Sequence, residues 1–179
     1  MASQQLVVES AHIRTAPRRQ EWDVATRNWS MKLLLVSSSG GHLTQLMSLR
    51  PWWEQHERLW VTADLPDTRS LLEGERVLWS NSPTTRNLPN MLRNLRLANT
   101  VIKSERPDVI ISTGAGIAPP FFLIAKLRGV KTVFLEVYDR LDSTTMAGRL
   151  CYPLADRFLL QWDEQRQLYP RGIVVGRVL

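Results

Sequence analysis

From Met31 onward, short apolar segments alternate with segments of helical periodicity, and this alternation limits the possible folds more than any other feature. Strands are predicted at 32–37, 58–62, 77–80, 108–112, 132–136, 157–161 and 172–175. Helices are predicted between them, at 42–55, 66–73, 87–105, 117–128, 145–153 and 163–169. The strands are rich in Val, Ile and Leu without strict alternation, which is typical of burial on both faces of a parallel sheet. We therefore predict a Rossmann-like α/β domain with helices on both faces of the sheet.

The first strand ends in small residues, Ser37-Ser38-Ser39-Gly40-Gly41, and His42 then opens a helix. A strand–glycine–helix junction leaves backbone N–H groups unpaired, which favours an anion such as a nucleotide or a lipid diphosphate. The imidazole of His42 would place a proton-transfer group beside that anion. The third glycine of a nicotinamide-binding fingerprint is missing. The alternative is that the glycines serve only to turn a strand into a helix.

Two further strand ends carry residues of chemical interest. The loop Thr113-Gly114-Ala115-Gly116 follows the fourth predicted strand, and Glu136 ends the fifth. Because ligands of parallel sheets bind at the carboxyl ends of the strands, we expect these residues and His42 to meet at one rim. Convergence of three strand ends is more specific than any one of them alone.

Each of these residues also has a purely structural interpretation. Gly114 and Gly116 would then only permit the turn before the next helix, which begins near a proline pair. Glu136 would be a solvated carboxylate at a strand end, and His42 would only cap or pack. The sequence leaves both interpretations open.

Residues 1–30 differ from the rest of the chain. They hold scattered arginines and Pro17 and show no sustained periodicity of either kind. We predict a poorly ordered extension over 1–30 and one Rossmann-like domain over 31–179, and Met31 could itself be the translation start. The alternative is a short basic arm that lies close to a membrane.

Composition narrows the class of protein. The chain has 179 residues, 44% hydrophobic and 22% charged, as expected of one globular domain. Its one cysteine, Cys151, excludes an internal disulfide and agrees with a reducing cytoplasm. The net charge of +6 predicts an acidic partner: a nucleic acid, an anionic membrane face or a phosphorylated substrate. No segment is long and apolar enough to span a bilayer and no signal peptide is evident, so any membrane contact is expected to be peripheral.

The segment 87–106 predicts a basic amphipathic helix. Its apolar stripe consists of Leu88, Met91, Leu92, Leu95, Val101 and Ile102. Arg93 and Arg96 lie off the stripe and Arg86 precedes it, so we predict these arginines as contacts with anionic lipid. The alternative is that the stripe packs on the sheet and the arginines are solvated.

Several segments, taken in order, resemble one known family. They are Ser38-Ser39-Gly40-Gly41-His42, 106–115, Thr132-Val133-Phe134-Leu135-Glu136, 148–162, Tyr169-Pro170 and Gly176, so the resemblance covers about 31–179. The family comprises the membrane-associated, acceptor-side subunits of two-part UDP-sugar glycosyltransferases, of the asparagine-linked-glycosylation protein fourteen type, with bacterial exopolysaccharide and capsule counterparts. More distantly, the chain resembles the N-terminal half of the peptidoglycan lipid-linked GlcNAc transferase, a two-domain GT-B enzyme.

The resemblance implies that this chain is half of an enzyme, equivalent to the N-terminal half of a GT-B glycosyltransferase. It would bind a lipid-pyrophosphate-linked saccharide at the cytoplasmic membrane face. A donor-binding partner subunit would hold the UDP-sugar, which supplies N-acetylglucosamine, glucuronic acid or galactose. We expect no cofactor and no metal in this chain, since no Asp-x-Asp motif is present and GT-B enzymes need none. Residues 1–30 lack the membrane anchor frequent in the family, so peripheral attachment is expected.

Carried onto matching positions, the resemblance implies that His42 deprotonates the acceptor hydroxyl, or holds the diphosphate if the base lies elsewhere. Glu136 is the second candidate, as base, as partner of the acceptor sugar or as the group that orients His42. The residues expected to bind the acceptor and its diphosphate are Ser39, Gly40, Gly41, Thr113, Gly114, Ala115 and Gly116.

Two competing functions have less support. A basic Rossmann-like module that binds nucleic acid or another polyanion would explain the charge, but no nucleic-acid-binding motif is present. A small hydrolase that uses a serine of 37–39 would need a nucleophile elbow, which is also missing. We therefore expect no nucleic-acid partner.

Overall fold

The computed structural model describes residues 30–84 and 86–178. In this part of the chain seven parallel strands form one sheet. They are β1 (Lys32–Val36), β2 (Glu57–Thr62), β3 (Val77–Trp79), β4 (Val109–Ser112), β5 (Lys131–Leu135), β6 (Arg157–Leu160) and β7 (Ile173–Val174). Their order is β3-β2-β1-β4-β5-β6-β7, so the strand order reverses between β1 and β4. This topology confirms the predicted Rossmann-like fold.

Helices cover the sheet on both sides. They are α1 (Gly41–Met47), α2 (Arg50–Trp53), α3 (Pro66–Leu71), α4 (Leu88–Glu105), α5 (Ala118–Arg128) and α6 (Met146–Cys151). One core, which includes Leu43 and Trp53, lies under α1 and α2. The other core, which includes Phe121, Phe134 and Phe158, lies under α4, α5 and α6. Strand β1 is buried on both faces, as its unbroken apolar sequence predicts.

Two predicted helices were wrong in detail. The helix predicted over 42–55 is divided into α1 and α2, with a break at Ser48 and Leu49. Pro51 explains the break, because it has no N–H to donate to the preceding turn and its ring disfavours a continuous helix. The segment predicted over 163–169 forms a 3-10 helix at Asp163–Gln167.

The apolar stripe of α4 divides between the core and the surface. Val101 and Ile102 are buried as the packing alternative predicts, whereas Leu88 and Leu92 in the first turns are exposed. Asn90 and Asn94 take the inward positions there instead. The apolar pattern therefore predicts the buried face correctly only in the second half of α4.

Those asparagines fix the loop between β3 and α4. The side chain of Asn94 accepts from Asn81 N at 2.9 Å and donates to Asn81 O at 3.0 Å, and Asn90 Nδ2 donates to Pro83 O at 3.0 Å. Buried amides in a helix thus satisfy loop backbone groups that the sheet leaves unpaired. This brings residues 82–84, 86 and 87 to the carboxyl edge of the sheet.

Two further sequence predictions concern the N-terminal segment and membrane-spanning helices. Apart from Ser30, the predicted extension over 1–30 lies outside the described residues. Within the described ranges, no helix has the length and apolarity needed to cross a membrane.

Candidate functional site

His42 and Thr113 join the loops that follow β1 and β4. His42 Nδ1 lies 2.8 Å from Thr113 O, and the Thr113 hydroxyl donates to His42 O at 2.7 Å. The two residues therefore satisfy each other's backbone carbonyls across the point where the strand order reverses. Ligands of open α/β sheets bind at this crevice.

The contact with Thr113 defines the tautomer of His42. A backbone carbonyl can only accept, so Nδ1 must carry the proton in this hydrogen bond. The neutral imidazole then presents Nε2 as an acceptor, and no hydrogen bond to Nε2 occurs among residues 30–84 and 86–178. This tautomer leaves Nε2 of His42 able to accept a hydrogen bond.

A cavity of about 580 Å³ opens beside His42. It is lined by His42, Thr84, Arg86, Asn87, Leu88, Met91, Ala115, Gly116, Pro119, Pro120, Arg140, Thr144, Thr145, Met146, Ala147 and Leu150. Apolar side chains dominate this set, the charged ones are the arginines, and none is a carboxylate. An apolar cavity with convergent cationic groups suits an amphiphilic anion.

The predicted site residues divide into two groups. Ala115 and Gly116 line this cavity, and Gly41 lines a second cavity of about 200 Å³ on which His42 also borders. Ser39, Gly40, Thr113 and Gly114 line neither cavity; Thr113 and Gly114 are buried behind them.

The three arginines predicted to contact lipid lie at two different places on the surface. Arg86 lines the larger cavity. Arg93 and Arg96 lie outside both cavities on the exposed side of α4, where Arg93 donates to Asn90 Oδ1 at 2.8 Å. Arg86 is therefore placed to meet a ligand of the cavity, while the other two remain candidates for a surface contact.

The glycine loop after β4 is packed closely by the chain itself. A β-carbon on Gly116 would lie 2.5 Å from Thr84 O, and one on Gly114 would lie 3.2 Å from the His42 ring. Gly114 also has a φ of +114°, which a larger residue rarely adopts. The next residue, Ala115, is left-handed as well, with a φ of +66°. The close approaches expected of a ligand are thus made by His42 and by the loop before α4.

Glu136 is buried, so the interpretation as a solvated carboxylate is wrong. Its Oε1 accepts from Val137 N at 3.1 Å and from the Thr145 hydroxyl at 3.3 Å. Its Oε2 has no hydrogen-bond partner among the described residues, and a β-carbon on Gly148 would touch both Oε2 and the Tyr169 hydroxyl. Glu136 lines neither cavity and makes no hydrogen bond to His42 within the described residues, and its catalytic role stays a prediction.

Burial raises the pKa of Glu136, and the Tyr169 hydroxyl, the Val137 N–H and the Thr145 hydroxyl partly oppose that rise. Burial and the nearby Glu136 carboxyl also raise the pKa of the Cys151 thiol, so that thiol stays protonated. The Thr145 hydroxyl that binds Glu136 also accepts from Gly148 N at 2.8 Å, and so caps α6. Hydrogen bonds through Thr145 therefore connect Glu136 to the wall of the larger cavity and to α6.

Sequence reasoning missed Arg140 and the residues of α6. Arg140 and Thr145 border both cavities, and Met146, Ala147 and Leu150 complete the larger one. The segment between β5 and α6 has no glycine loop to mark it. The one available signal was Thr145 ahead of a helical pattern, which is typical of an N-cap.

No group of three or more His, Cys, Asp or Glu side chains that could hold a metal ion occurs in the described ranges. The expectations of no metal and no cofactor remain predictions.

Known proteins resemble this chain in sequence over much of its length. A family model described as "Oligosaccharide biosynthesis protein Alg14 like" matches residues 76–178. The chain belongs to this Alg14-like family. It is similar to the human "UDP-N-acetylglucosamine transferase subunit ALG14", with 23% identity over 190 residues that cover 88% of this chain and 87% of the relative. The resemblance drawn from the sequence is confirmed.

More distant similarity reaches a bacterial enzyme. A Chlorobaculum tepidum "UDP-N-acetylglucosamine--N-acetylmuramyl-(pentapeptide) pyrophosphoryl-undecaprenol N-acetylglucosamine transferase" is 30% identical over 82 residues, covering 46% of this chain and 22% of that protein. The crystal structure of Acinetobacter baumannii MurG superposes with a TM-score of 0.65 at 15% identity, covering 80% of this chain and 45% of MurG. At that identity the likeness concerns the fold alone. This Alg14-like chain has the fold of one half of a GT-B glycosyltransferase.

We expect Gly116→Ala to lower the free energy of unfolding by about 1–3 kcal/mol, because the new methyl group meets Thr84 O and the loop before α4 must move. Chemical denaturation measures this. Gly41→Ala is the matched control, since no atom lies within 4 Å of its β-carbon position. Equal stability of the two variants would contradict the close-approach argument.

We expect Glu136→Gln to change how stability depends on pH. The native state keeps the Glu136 proton above 4.5, the ordinary pKa of the side chain, so it binds more protons than the unfolded chain there. Wild-type stability should therefore fall relative to the variant as the pH rises above that value, and the difference should then level off. Denaturation curves over a pH series measure it, and a difference that rises with pH contradicts the burial argument.

Proposed function

We propose that this chain is the acceptor-binding subunit of a heteromeric glycosyltransferase that transfers a sugar from a UDP-sugar to a lipid-pyrophosphate-linked saccharide. The carrying observation is the apolar, carboxylate-free cavity in which His42, Arg86 and Arg140 converge at the reversal of strand order. Relatives named as UDP-N-acetylglucosamine transferase subunits favour N-acetylglucosamine over glucuronic acid or galactose as the transferred sugar.

The cavity matches the chemistry of such an acceptor. Arg86 and Arg140 offer guanidinium groups for the oxygens of a diphosphate, beside backbone of Ala115 and Gly116. Apolar side chains such as Leu88 and Met146 offer contacts for the lipid. The charges favour this acceptor over nucleic acid, because the arginines surround an apolar cavity instead of forming a stripe with interleaved aromatic residues.

The names of the relatives support a partner subunit. The described residues form a single sheet, and the chain spans less than half the length of the solved MurG chain. A second Rossmann domain that binds the UDP-sugar would come from another polypeptide, and the word "subunit" in the names of the relatives agrees with this. The active site would then be the cleft between the two proteins.

His42 would act as the general base of an inverting transfer. The acceptor hydroxyl attacks the anomeric carbon, and Nε2 of His42 takes the hydroxyl proton. The bond between the anomeric carbon and the UDP oxygen breaks, and UDP leaves with the electron pair. Hydrogen bonding to Thr113 holds the required tautomer and ring position.

The proposal extends to peripheral contact with the cytoplasmic face of a membrane. Leu88 and Met146 at the cavity are 62% and 66% exposed, and Leu92 and Leu150 beside them are also exposed. Arg93 and Arg96 lie near this apolar rim on α4. Apolar side chains with neighbouring cations suit the surface of an anionic bilayer, from which a lipid-linked acceptor would enter the cavity.

The central test is sugar transfer by this chain co-expressed with a candidate donor-binding partner. We expect transfer from UDP-N-acetylglucosamine to a lipid-pyrophosphate acceptor only with both chains, and a loss of about 10²–10⁴-fold in kcat for His42→Ala. His56→Ala is the matched control, because His56 lines neither cavity.

Three results would contradict parts of this proposal. Transfer by the isolated chain would exclude the half-enzyme. Full activity of an assembled His42→Ala complex would exclude His42 as base. Absence of transfer with every donor sugar and an authentic partner would exclude the function itself.

Membrane contact is tested with vesicles that contain phosphatidylglycerol. We expect Leu92→Glu and Arg96→Glu to reduce co-sedimentation severalfold, because each places negative charge on the surface predicted to face anionic lipid. Leu127→Glu is the control. Leu127 is exposed near the C-terminus of α5, whereas the cavity is lined by Pro119 and Pro120 at the N-terminus of that helix. Equal binding by all three variants and the wild type would count against this surface.

A further inference from the structure

The smaller cavity lies beside the larger one and shares its central residues. His42, Arg140 and Thr145 border both. The rest of its lining is Gly41, Gln45, Val137, Tyr138 and Asp139. A group bound in it would therefore sit next to the same imidazole as the acceptor in the larger cavity. Apart from the acceptor-binding role predicted for Gly41, no role given above uses this space.

The loop that forms its outer wall is held by buried side chains. Gln165, fully buried, donates from Nε2 to Val137 O at 2.8 Å and to Arg140 O at 3.1 Å. Trp162 Nε1 donates to Tyr138 O at 2.8 Å. Because these hydrogen bonds fix the backbone, the side chains of Asp139 and Arg140 project from a rigid loop. Pre-organised groups of this kind lower the entropy cost of binding.

The chemistry of the smaller cavity differs from that of the larger one. It adds the carboxylate of Asp139 to the Arg140 guanidinium, so it holds acceptors and donors together, whereas the Thr145 hydroxyl is already bound to Glu136 and Gly148 N. Asp139 forms no ion pair with another side chain in the described ranges and stays free to bind a ligand. Such a mixture suits a group with several hydroxyls, and a carboxylate disfavours a phosphate.

The volume of the smaller cavity limits the size of the ligand that it can hold. At about 200 Å³ the smaller cavity falls below the usual range for whole cofactors and nucleotides, about 300–1,000 Å³. A single pyranose ring is the group of matching size and polarity that the proposed reaction brings to His42.

We propose that the smaller cavity is a sugar subsite, in which Asp139 accepts hydrogen bonds from ring hydroxyls and Arg140 donates to ring oxygens. This inference rests on the proposed function and deepens it. The ring belongs either to the sugar being transferred or to the terminal sugar of the acceptor, since both must approach His42. In either case this chain takes part in choosing the sugar.

The first measurement is independent of transfer. Ligand-observed NMR on the full chain records binding of free N-acetylglucosamine at millimolar concentration. We expect saturation transfer to the sugar with the wild type and its loss in Asp139→Asn, whose substitution removes the charge of an exposed side chain without disturbing the core. Asp142→Asn is the matched control, because Asp142 is exposed in the same loop and lines neither cavity.

Kinetics on the two-subunit complex then identify the ring. If it is the transferred sugar, Asp139→Asn raises the KM for UDP-N-acetylglucosamine by about tenfold and leaves the acceptor KM unchanged. If it is the acceptor sugar, the acceptor KM rises by about tenfold and the KM for UDP-N-acetylglucosamine is constant.

The inference is overturned if Asp139→Asn matches Asp142→Asn in sugar binding, or if the wild-type chain binds no monosaccharide. An inactive wild-type complex that still binds the sugar through Asp139 would instead count against the proposed transfer and leave the subsite in place. The two proposals can therefore fail separately.

Discussion

The paired hydrogen bonds between His42 and Thr113 are the contact on which the rest of the site depends. Strands β1 and β4 are neighbours in the sheet, but His42 and Thr113 are 71 residues apart in sequence. Each residue uses its side chain to bind the other's backbone carbonyl. One contact thus closes the junction between the loops, selects the His42 tautomer and orients its ring towards the cavities.

Side-chain amides likewise bind the backbone carbonyls of the loop after β5. Glu136 O accepts from Gln45 Nε2 at 3.3 Å and from Gln161 Nε2 at 2.9 Å, and Gln165 binds the carbonyls that follow. Buried glutamines replace the hydrogen bonds of the sheet beyond the last residue of the strand. A loop without regular structure can therefore present Asp139 and Arg140 in fixed positions, as binding groups require.

Charged side chains are arranged differently at the two edges of the sheet. At the amino ends of the strands, Lys32 pairs with Glu57 at 3.3 Å and with Glu105 at 3.0 Å, and Arg76 pairs with the same carboxylates. At the carboxyl ends, Arg86 and Arg140 line cavities and form no ion pair with another described side chain. Guanidinium groups without a carboxylate partner among the described residues therefore stand at the edge that carries His42.

The sequence by itself determined the Rossmann-like fold and the position of His42 and the glycine loops at one rim. Strand and helix periodicity are local properties, and parallel topology brings strand exits together without further information. Only the tertiary structure decided that Glu136 is buried beside Tyr169, that Asn90 and Asn94 displace leucines from the inner face of α4, and that Arg140 borders two cavities. Whether a polar side chain is buried depends on which distant residues supply its hydrogen bonds, and no local pattern encodes that.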